Sequence, residues 1–86
     1  MIESQLTILN DEGLHARPAG ILAKTAAEFK SKIELVHNGK AANAKSLLSI
    51  MGLGLKKGSE FMVRAEGEDA SGAIERINQL VANRFG

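Results

Sequence analysis

The sequence predicts an α+β open-faced sandwich, in which a four-stranded, mainly antiparallel sheet is covered on one face by three helices. Segments with the hydrophobic period of strands and of helices follow one another in the order β-α-β-β-α-β-α. The Asn38-Gly39 pair between two strand-like segments is typical of a hairpin turn. Each helix has one apolar face that a sheet can cover. Because the chain has 86 residues, we expect residues 1–86 to form a single domain.

The first half of the chain contains four of the seven predicted elements. Residues 5–8 alternate polar and apolar side chains and, with Ile2 at the start, predict a strand. From Ala16 to about Phe29, apolar residues recur at helical spacing. Residues 32–37 and 40–44 flank the Asn-Gly pair and predict the two strands of the hairpin.

The second half supplies the other three elements. Ser46 is a typical N-cap for a short helix over residues 47–51, which two glycines then close. Residues 60–67 alternate again and predict the last strand. Asp69 precedes the last helix, where a carboxylate suits the helix dipole. The predicted buried stripe of this helix is Ala70, Ala73, Ile74, Ile77, Leu80 and Val81.

Composition excludes several classes of protein. Cysteine is absent, so there is no disulfide framework and no thiolate nucleophile. Two separated histidines, His15 and His37, do not form a metal-ligand cluster, and we expect neither a metal nor a cofactor. Residues 1–5 lack the pattern of a signal peptide, and no apolar stretch is long enough to cross a membrane. We therefore expect a soluble, cytoplasmic protein without membrane insertion.

Charge is unevenly distributed along the chain. The net charge is +1, yet residues 15–57 hold eight basic and only two acidic side chains. This segment favours acidic partners or phosphate, although ordinary solvated faces are an alternative. Nucleic acid is not expected as a partner, because the aromatic content is 3% and all of it is phenylalanine.

Residues 13–19, with the sequence GLHARPA, carry the strongest chemical signal. A proline at position 18 fits the first turn of a helix, so His15 lies at or just before a helix N-terminus. Free backbone N–H groups and the helix dipole favour an anion there, and Arg17 adds a guanidinium suited to phosphate. This arrangement predicts a histidine that accepts a phosphoryl group. The alternative is a histidine that only caps the helix or faces solvent.

Ser46 and the short helix after it form the second signal. A hydroxyl at a helix N-terminus is a favourable place for a phosphate, in addition to its capping role. Four of the five residues 47–51 are apolar, and so short a helix cannot bury them all. We therefore expect an exposed apolar docking surface with a basic rim, the alternative being that most of the four belong to the core.

These segments resemble the family of histidine-containing phosphocarrier proteins, HPr, of the bacterial phosphoenolpyruvate-dependent sugar phosphotransferase system. The resemblance covers nearly the whole chain and implies the HPr-like open-faced sandwich. The matching motifs are residues 13–19 (GLHARPA), 38–40 (NGK), 44–47 (AKSL), 53–55 (LGL) and 65–69 (AEGED).

The resemblance implies a carrier that is transiently phosphorylated rather than a turnover enzyme. His15 would accept a phosphoryl group on Nδ1 from phosphorylated enzyme I and pass it to sugar-specific enzyme IIA domains. Arg17 and the backbone N–H groups of Ala16 and Arg17 would hold the phosphate. A carrier that docks transiently is expected to be a monomer.

The resemblance also implies regulation through Ser46. An HPr kinase/phosphorylase phosphorylates the matching serine in many bacteria, which weakens transfer through His15 and permits pairing with a transcriptional regulator. The implied surface shared by the partners comprises Ala16, Gly20, Lys24, Lys45, Leu47, Leu48 and Met51.

Three other functions remain open from the sequence. A phosphocarrier of a nitrogen-related regulatory branch would have different partners and no transport role, and the intact segment 45–48 favours the sugar branch instead. A purely regulatory binding module would lack the active histidine, so the presence of His15 disfavours it. A small nucleic-acid-binding domain is disfavoured by the near-zero net charge and the few aromatic residues.

Overall fold

A computed structural model describes residues 1–86 and confirms the predicted order of elements and the fold class. None of its helices is both long and apolar enough to cross a membrane. The elements are β1 (Ile2–Thr7), α1 (Ala16–Ala26), β2 (Lys32–His37), β3 (Lys40–Asn43), α2 (Leu47–Met51), β4 (Glu60–Glu66) and α3 (Ala70–Ala82).

The four strands form one sheet in the order β1-β4-β2-β3, and every neighbouring pair is antiparallel. Val63 of β4 lies between Ser4 of β1 and Leu35 of β2, which fixes the register of the sheet. The predicted hairpin turn joins β2 to β3, with positive φ angles at Asn38 (51°) and Gly39 (77°). The last strand in sequence is therefore a central strand of the sheet.

The core lies between one face of the sheet and the helices. Phe61, Val63 and Ala65 of β4 point into it and are at most 2% exposed. Leu22 of α1 and Ile77 of α3 are fully buried against the same layer. Burying each large apolar side chain contributes roughly 1.5–3 kcal/mol, so Leu22 and Ile77 help to hold their helices against the core.

Helix α1 ends earlier than its apolar pattern predicts. It stops at Ala26, and the N–H groups of Glu28 and Phe29 bond to the carbonyls of Thr25 and Ala26, each at 3.1 Å. Such tighter i to i−3 bonds close a helix end. The Phe29 side chain still packs half-buried against the core, which explains why the helical apolar pattern continues beyond the helix.

The carboxylate of Asp69 joins two turns of the chain. It stands at the start of α3, as expected, but makes no hydrogen bond to that helix. It accepts the N–H of Lys30 at 2.8 Å, the N–H of Ser31 at 2.9 Å and the Ser31 hydroxyl. Gly67 makes room for this contact, since a Cβ there would lie 2.5 Å from the Ser31 oxygen. The β4–α3 turn is thereby tied to the α1–β2 turn.

These bonds predict an acid-sensitive contribution to stability. The Ser31 hydroxyl and then the Lys30 N–H lower the pKa of Asp69 from 3.8 to about 2. A carboxyl whose pKa is lower in the folded chain stabilises it above the unfolded pKa, and that contribution is lost as the pH falls through the folded pKa. We expect the urea midpoint of the parent chain to fall between pH 4 and about 2. The urea midpoint of the Asp69→Asn variant should be lower than that of the parent chain at pH 4, and it should fall less as the pH is lowered.

A matched control uses the other carboxyl with a lowered pKa. Asp11 pairs with Lys57 at 2.8 Å, and this hydrogen bond and charge lower its pKa, but both side chains are largely exposed. Asp11→Asn should therefore shift the midpoints less than Asp69→Asn. If the urea midpoints of the parent chain and Asp69→Asn depended on pH in the same way, Asp69 would not be the source of the acid-sensitive stability.

Candidate functional site

His15 is the N-cap residue of α1. Its backbone is extended (φ −88°, ψ −164°), and its carbonyl accepts the first helical bond, from Ala19 N–H at 2.9 Å. Its imidazole makes no capping hydrogen bond, and the residue is exposed. The ring is therefore free for chemistry, which disfavours the alternative of a histidine that only caps the helix.

The helix start beside His15 offers unpaired donors. The N–H groups of Ala16 and Arg17 make no backbone hydrogen bond, as the geometry of a first turn requires, and Pro18 has no N–H. The Arg17 side chain is exposed and is absent from all three ion pairs of the structure. The features predicted for an anion site thus lie together within three consecutive residues.

The segment before His15 is fixed by close packing. Gly13 has a φ of 68°, and a Cβ there would lie only 2.6 Å from the carbonyl oxygen of Leu55. Leu14 is 3% exposed and its N–H donates to that same Leu55 carbonyl at 2.9 Å. The positive φ favours glycine at this position, and the close approach to Leu55 leaves no room for a side chain. No local sequence pattern predicts the position of the Leu55 carbonyl, because Leu55 lies far from Gly13 along the chain.

Helix α2 has the predicted cap and an exposed apolar face. The Ser46 Oγ accepts the N–H of Ser49 at 3.3 Å. Ile50 is fully buried, whereas Leu47 and Met51 are each 39% exposed and Leu48 is 81% exposed. Three of the four apolar side chains therefore reach solvent, which favours a docking surface over the alternative that most of them are core.

The exposed residues of α1 and α2 form one candidate surface, because the two helices pack against each other. Ala16, Gly20 and Lys24 are spaced four residues apart and so share one side of α1. Apart from the adjoining residues of α1 itself, nothing lies within 4 Å of a Cβ built at Gly20, so the surface is open there. We call this surface the docking patch, and its members are Ala16, Gly20, Lys24, Leu47, Leu48 and Met51.

Lys45, one of the predicted partner-binding residues, is half-buried and makes a bond that the sequence did not predict. Its Nζ donates to the carbonyl oxygen of Phe29 at 2.7 Å, just beyond the end of α1. A cation is favourable at that end of a helix, where carbonyl oxygens lack partners. This bond directs the ammonium towards the C-terminal end of α1, while His15 lies at the other end. Sequence reasoning missed it because the partner is a backbone atom 16 residues away.

The larger clefts of the molecule lie away from His15. One of about 410 Å³ borders His37 and Met62, and another of about 340 Å³ lies among Lys30 and Asn43. His37 is half-buried, and its Nδ1 bonds to the Glu60 carbonyl at 2.8 Å. His15 thus lies on an open surface, which suits a protein partner better than a small molecule that needs a pocket.

Comparison with known proteins decides the family. Residues 2–83 match the family model described as the PTS HPr component phosphorylation site. The chain belongs to the HPr family. It is 44% identical over 81 residues to the phosphocarrier protein HPr of Buchnera aphidicola subsp. Acyrthosiphon pisum (strain APS), covering 94% of this chain and 95% of that protein. The family resemblance predicted from the sequence is therefore confirmed.

Solved HPr structures agree with this assignment. The crystal structure of HPr-C-His from Thermoanaerobacter tengcongensis superposes with a TM-score of 0.98 at 41% identity, covering 100% of this chain and 97% of that chain. The HPr of Bacillus anthracis str. Ames superposes with a TM-score of 0.90 at 34% identity, covering 93% and 95%. The family is that of a phosphocarrier protein of the phosphotransferase system, consistent with a carrier rather than a catalytic enzyme.

Proposed function

We propose that this chain accepts a phosphoryl group on His15 from phosphorylated enzyme I and passes it to enzyme IIA domains during sugar uptake. The observation that carries the proposal is the exposed imidazole of His15 beside the unpaired N–H groups of Ala16 and Arg17. The family supports the same activity, since its members are phosphocarriers.

The arrangement fits phosphoryl transfer in both directions. The unprotonated Nδ1 of His15, the ring nitrogen used in the family, attacks phosphorus while the bond from phosphorus to the donor breaks. The two backbone N–H groups and the Arg17 guanidinium then hold the phosphate oxygens. Phosphoryl transfer depends mainly on positioning and charge stabilisation, so a partner can complete the geometry on an exposed surface. In the second transfer, the acceptor's nucleophile attacks phosphorus while the bond from phosphorus to Nδ1 of His15 breaks.

The docking patch supplies the recognition in this proposal. Leu47, Leu48 and Met51 give an apolar centre, while Lys24 and Arg17 give cations beside it. Partners with an apolar centre and an acidic rim fit such a surface, and charge complementarity gives fast but short-lived complexes. Because donor and acceptor would use the same patch, they must bind in turn.

The direct test is phosphorylation in vitro. The chain is incubated with enzyme I, phosphoenolpyruvate and Mg²⁺, and its intact mass is measured before and after acid treatment. One added phosphate that acid removes supports the proposal, because phosphohistidine is acid-labile. Uptake only from an enzyme I of a nitrogen-related system would favour the regulatory branch. No uptake from either would favour a regulatory binding module.

Ser46 is the second proposed modification site. A phosphate there would place roughly two negative charges at the start of α2, beside the docking patch. The charge repels acidic partners while the helix stays intact, because a negative group suits a helix N-terminus. A dedicated HPr kinase/phosphorylase and a transcriptional regulator are the partners proposed for this form.

The Ser46→Asp variant should slow phosphoryl uptake on the order of tenfold, equivalent to about 1.4 kcal/mol. Its circular dichroism should match that of the parent chain, because aspartate caps a helix as well as serine does. Ser71→Asp is the matched control, since Ser71 is an exposed residue in the first turn of α3. Equal uptake rates for Ser46→Asp and Ser71→Asp would remove the regulatory proposal.

A further inference from the structure

We propose that Asn10 is a positioning residue for phosphoryl transfer, acting through the loop that carries His15; this inference rests on the proposed function. Asn10 is only 5% exposed. Its Nδ2 donates to the Gly13 carbonyl at 2.7 Å, and the Gly13 N–H donates back to the Asn10 carbonyl at 3.2 Å. The two bonds close residues 10–13 into a tight ring that ends two residues before His15.

This ring is continuous with the site. Gly13 packs closely against the backbone of Leu55 and Lys56. A Cβ at position 13 would lie 2.6 Å from the Leu55 oxygen and 2.8 Å from the Lys56 Cα. The next N–H, that of Leu14, donates to Leu55 at 2.9 Å. The Asn10 amide holds the Gly13 carbonyl, and with it the peptide plane between residues 13 and 14. The direction in which His15 leaves the loop depends on that plane.

The unpaired oxygen of the Asn10 amide indicates that asparagine stands here for the bond from its Nδ2 to the Gly13 carbonyl. Its Oδ1 is buried and has no hydrogen-bond partner. Burial of an unpaired acceptor is unfavourable. Rotating the amide by 180° would not remove the unfavourable burial, because Oδ1 would then face the Gly13 carbonyl oxygen and both atoms are acceptors. An apolar side chain would avoid this unfavourable burial, so packing stability alone does not account for asparagine at this position.

The burial of Asn10 also predicts which kinetic constant it controls. A buried side chain cannot contact a docked partner, so the KM for this chain as a substrate of enzyme I should not depend on it. The rate of phosphoryl transfer within the complex, kcat, should depend on Asn10, because this step is sensitive to small displacements of the nucleophile. A merely structural role would instead reduce stability without selectively lowering kcat.

Three substitutions test this with the full chain, enzyme I and phosphoenolpyruvate. Asn10→Ala removes the donor, and Asn10→Asp keeps the shape but places a carboxylate against the Gly13 carbonyl. We expect both variants to lower kcat by about tenfold or more while KM stays unchanged. Asn10→Ser should recover part of the rate, because a serine hydroxyl makes the same kind of loop bond more weakly.

Ser31→Ala is the matched control. It also removes a buried hydroxyl bond, but at the opposite end of α1 from His15. It should lower the melting temperature and leave kcat at the parent value. Amide exchange of the parent chain gives a measurement that needs no variant, since the Gly13 and Leu14 N–H groups should both be protected.

The outcomes separate this inference from the proposed function. A parent chain phosphorylated on His15, with Asn10 variants that keep the parent kcat, would overturn the positioning role and leave the proposed function standing. Rapid exchange of the Gly13 N–H would also overturn the positioning role. A parent chain that takes up no phosphate would overturn both.

Discussion

Replacing His15 with alanine is expected to abolish phosphoryl uptake and leave the fold intact. The imidazole is exposed and makes no capping bond, so its loss should change the free energy of unfolding by no more than about 0.5 kcal/mol. Without the nucleophile, uptake from enzyme I should fall on the order of a thousandfold or more. Intact mass after incubation with enzyme I and phosphoenolpyruvate measures uptake, and urea unfolding measures stability.

His37→Ala is the control for this experiment. His37 is the other histidine of the chain, and its ring bonds to the carbonyl of Glu60, the first residue of β4. Its replacement should lower stability somewhat and leave uptake unchanged. Acid-labile phosphate on the His15→Ala chain would contradict the assignment of the acceptor. Unfolding of that variant would contradict the description of His15 as a free surface side chain.

The second large effect is expected at Leu48. This side chain is 81% exposed, so Leu48→Glu should leave the free energy of unfolding within about 0.5 kcal/mol of the parent value. If Leu48 anchors a partner, its loss should weaken docking by about 2 kcal/mol, or roughly thirtyfold. We expect the KM for enzyme I to rise accordingly, with kcat nearly unchanged. Steady-state phosphorylation at varied concentrations of the chain measures both constants.

Ile2→Glu is the matched control for Leu48→Glu. Ile2 is 39% exposed and lies on β1, at the opposite edge of the sheet from β3, against which α2 packs. The same charge there should leave KM unchanged. A KM for Leu48→Glu equal to that of the parent chain would show that α2 is not the docking surface.

The elements of the fold could be predicted because local patterns determine them. Alternation placed Phe61, Val63 and Ala65 on one face of β4, and all three are buried. The order of strands in the sheet could not be predicted, because it depends on contacts between distant segments. The end of α1 was wrong by about three residues, since the apolar pattern continues to Phe29 after the helix has closed.

The candidate site divides in the same way. The position of His15 at a helix start and the cap at Ser46 follow from neighbouring residues, and the structure has both. The Lys45 bond to the Phe29 carbonyl and the three bonds of Asp69 join residues 16 to 39 positions apart. No local pattern encodes such pairs. The burial of the Asn10 amide is likewise not evident from neighbouring residues.

The central position of β4 has a consequence for synthesis on the ribosome. Because β4 lies between β1 and β2, a growing chain can pair only β2 with β3 until residues 60–66 have emerged. The Leu55 carbonyl that holds Leu14 also arrives long after His15. Distant pairings of this kind form late and slowly. A nascent chain therefore carries the histidine early, yet only the nearly finished chain presents it in the geometry that a partner can use.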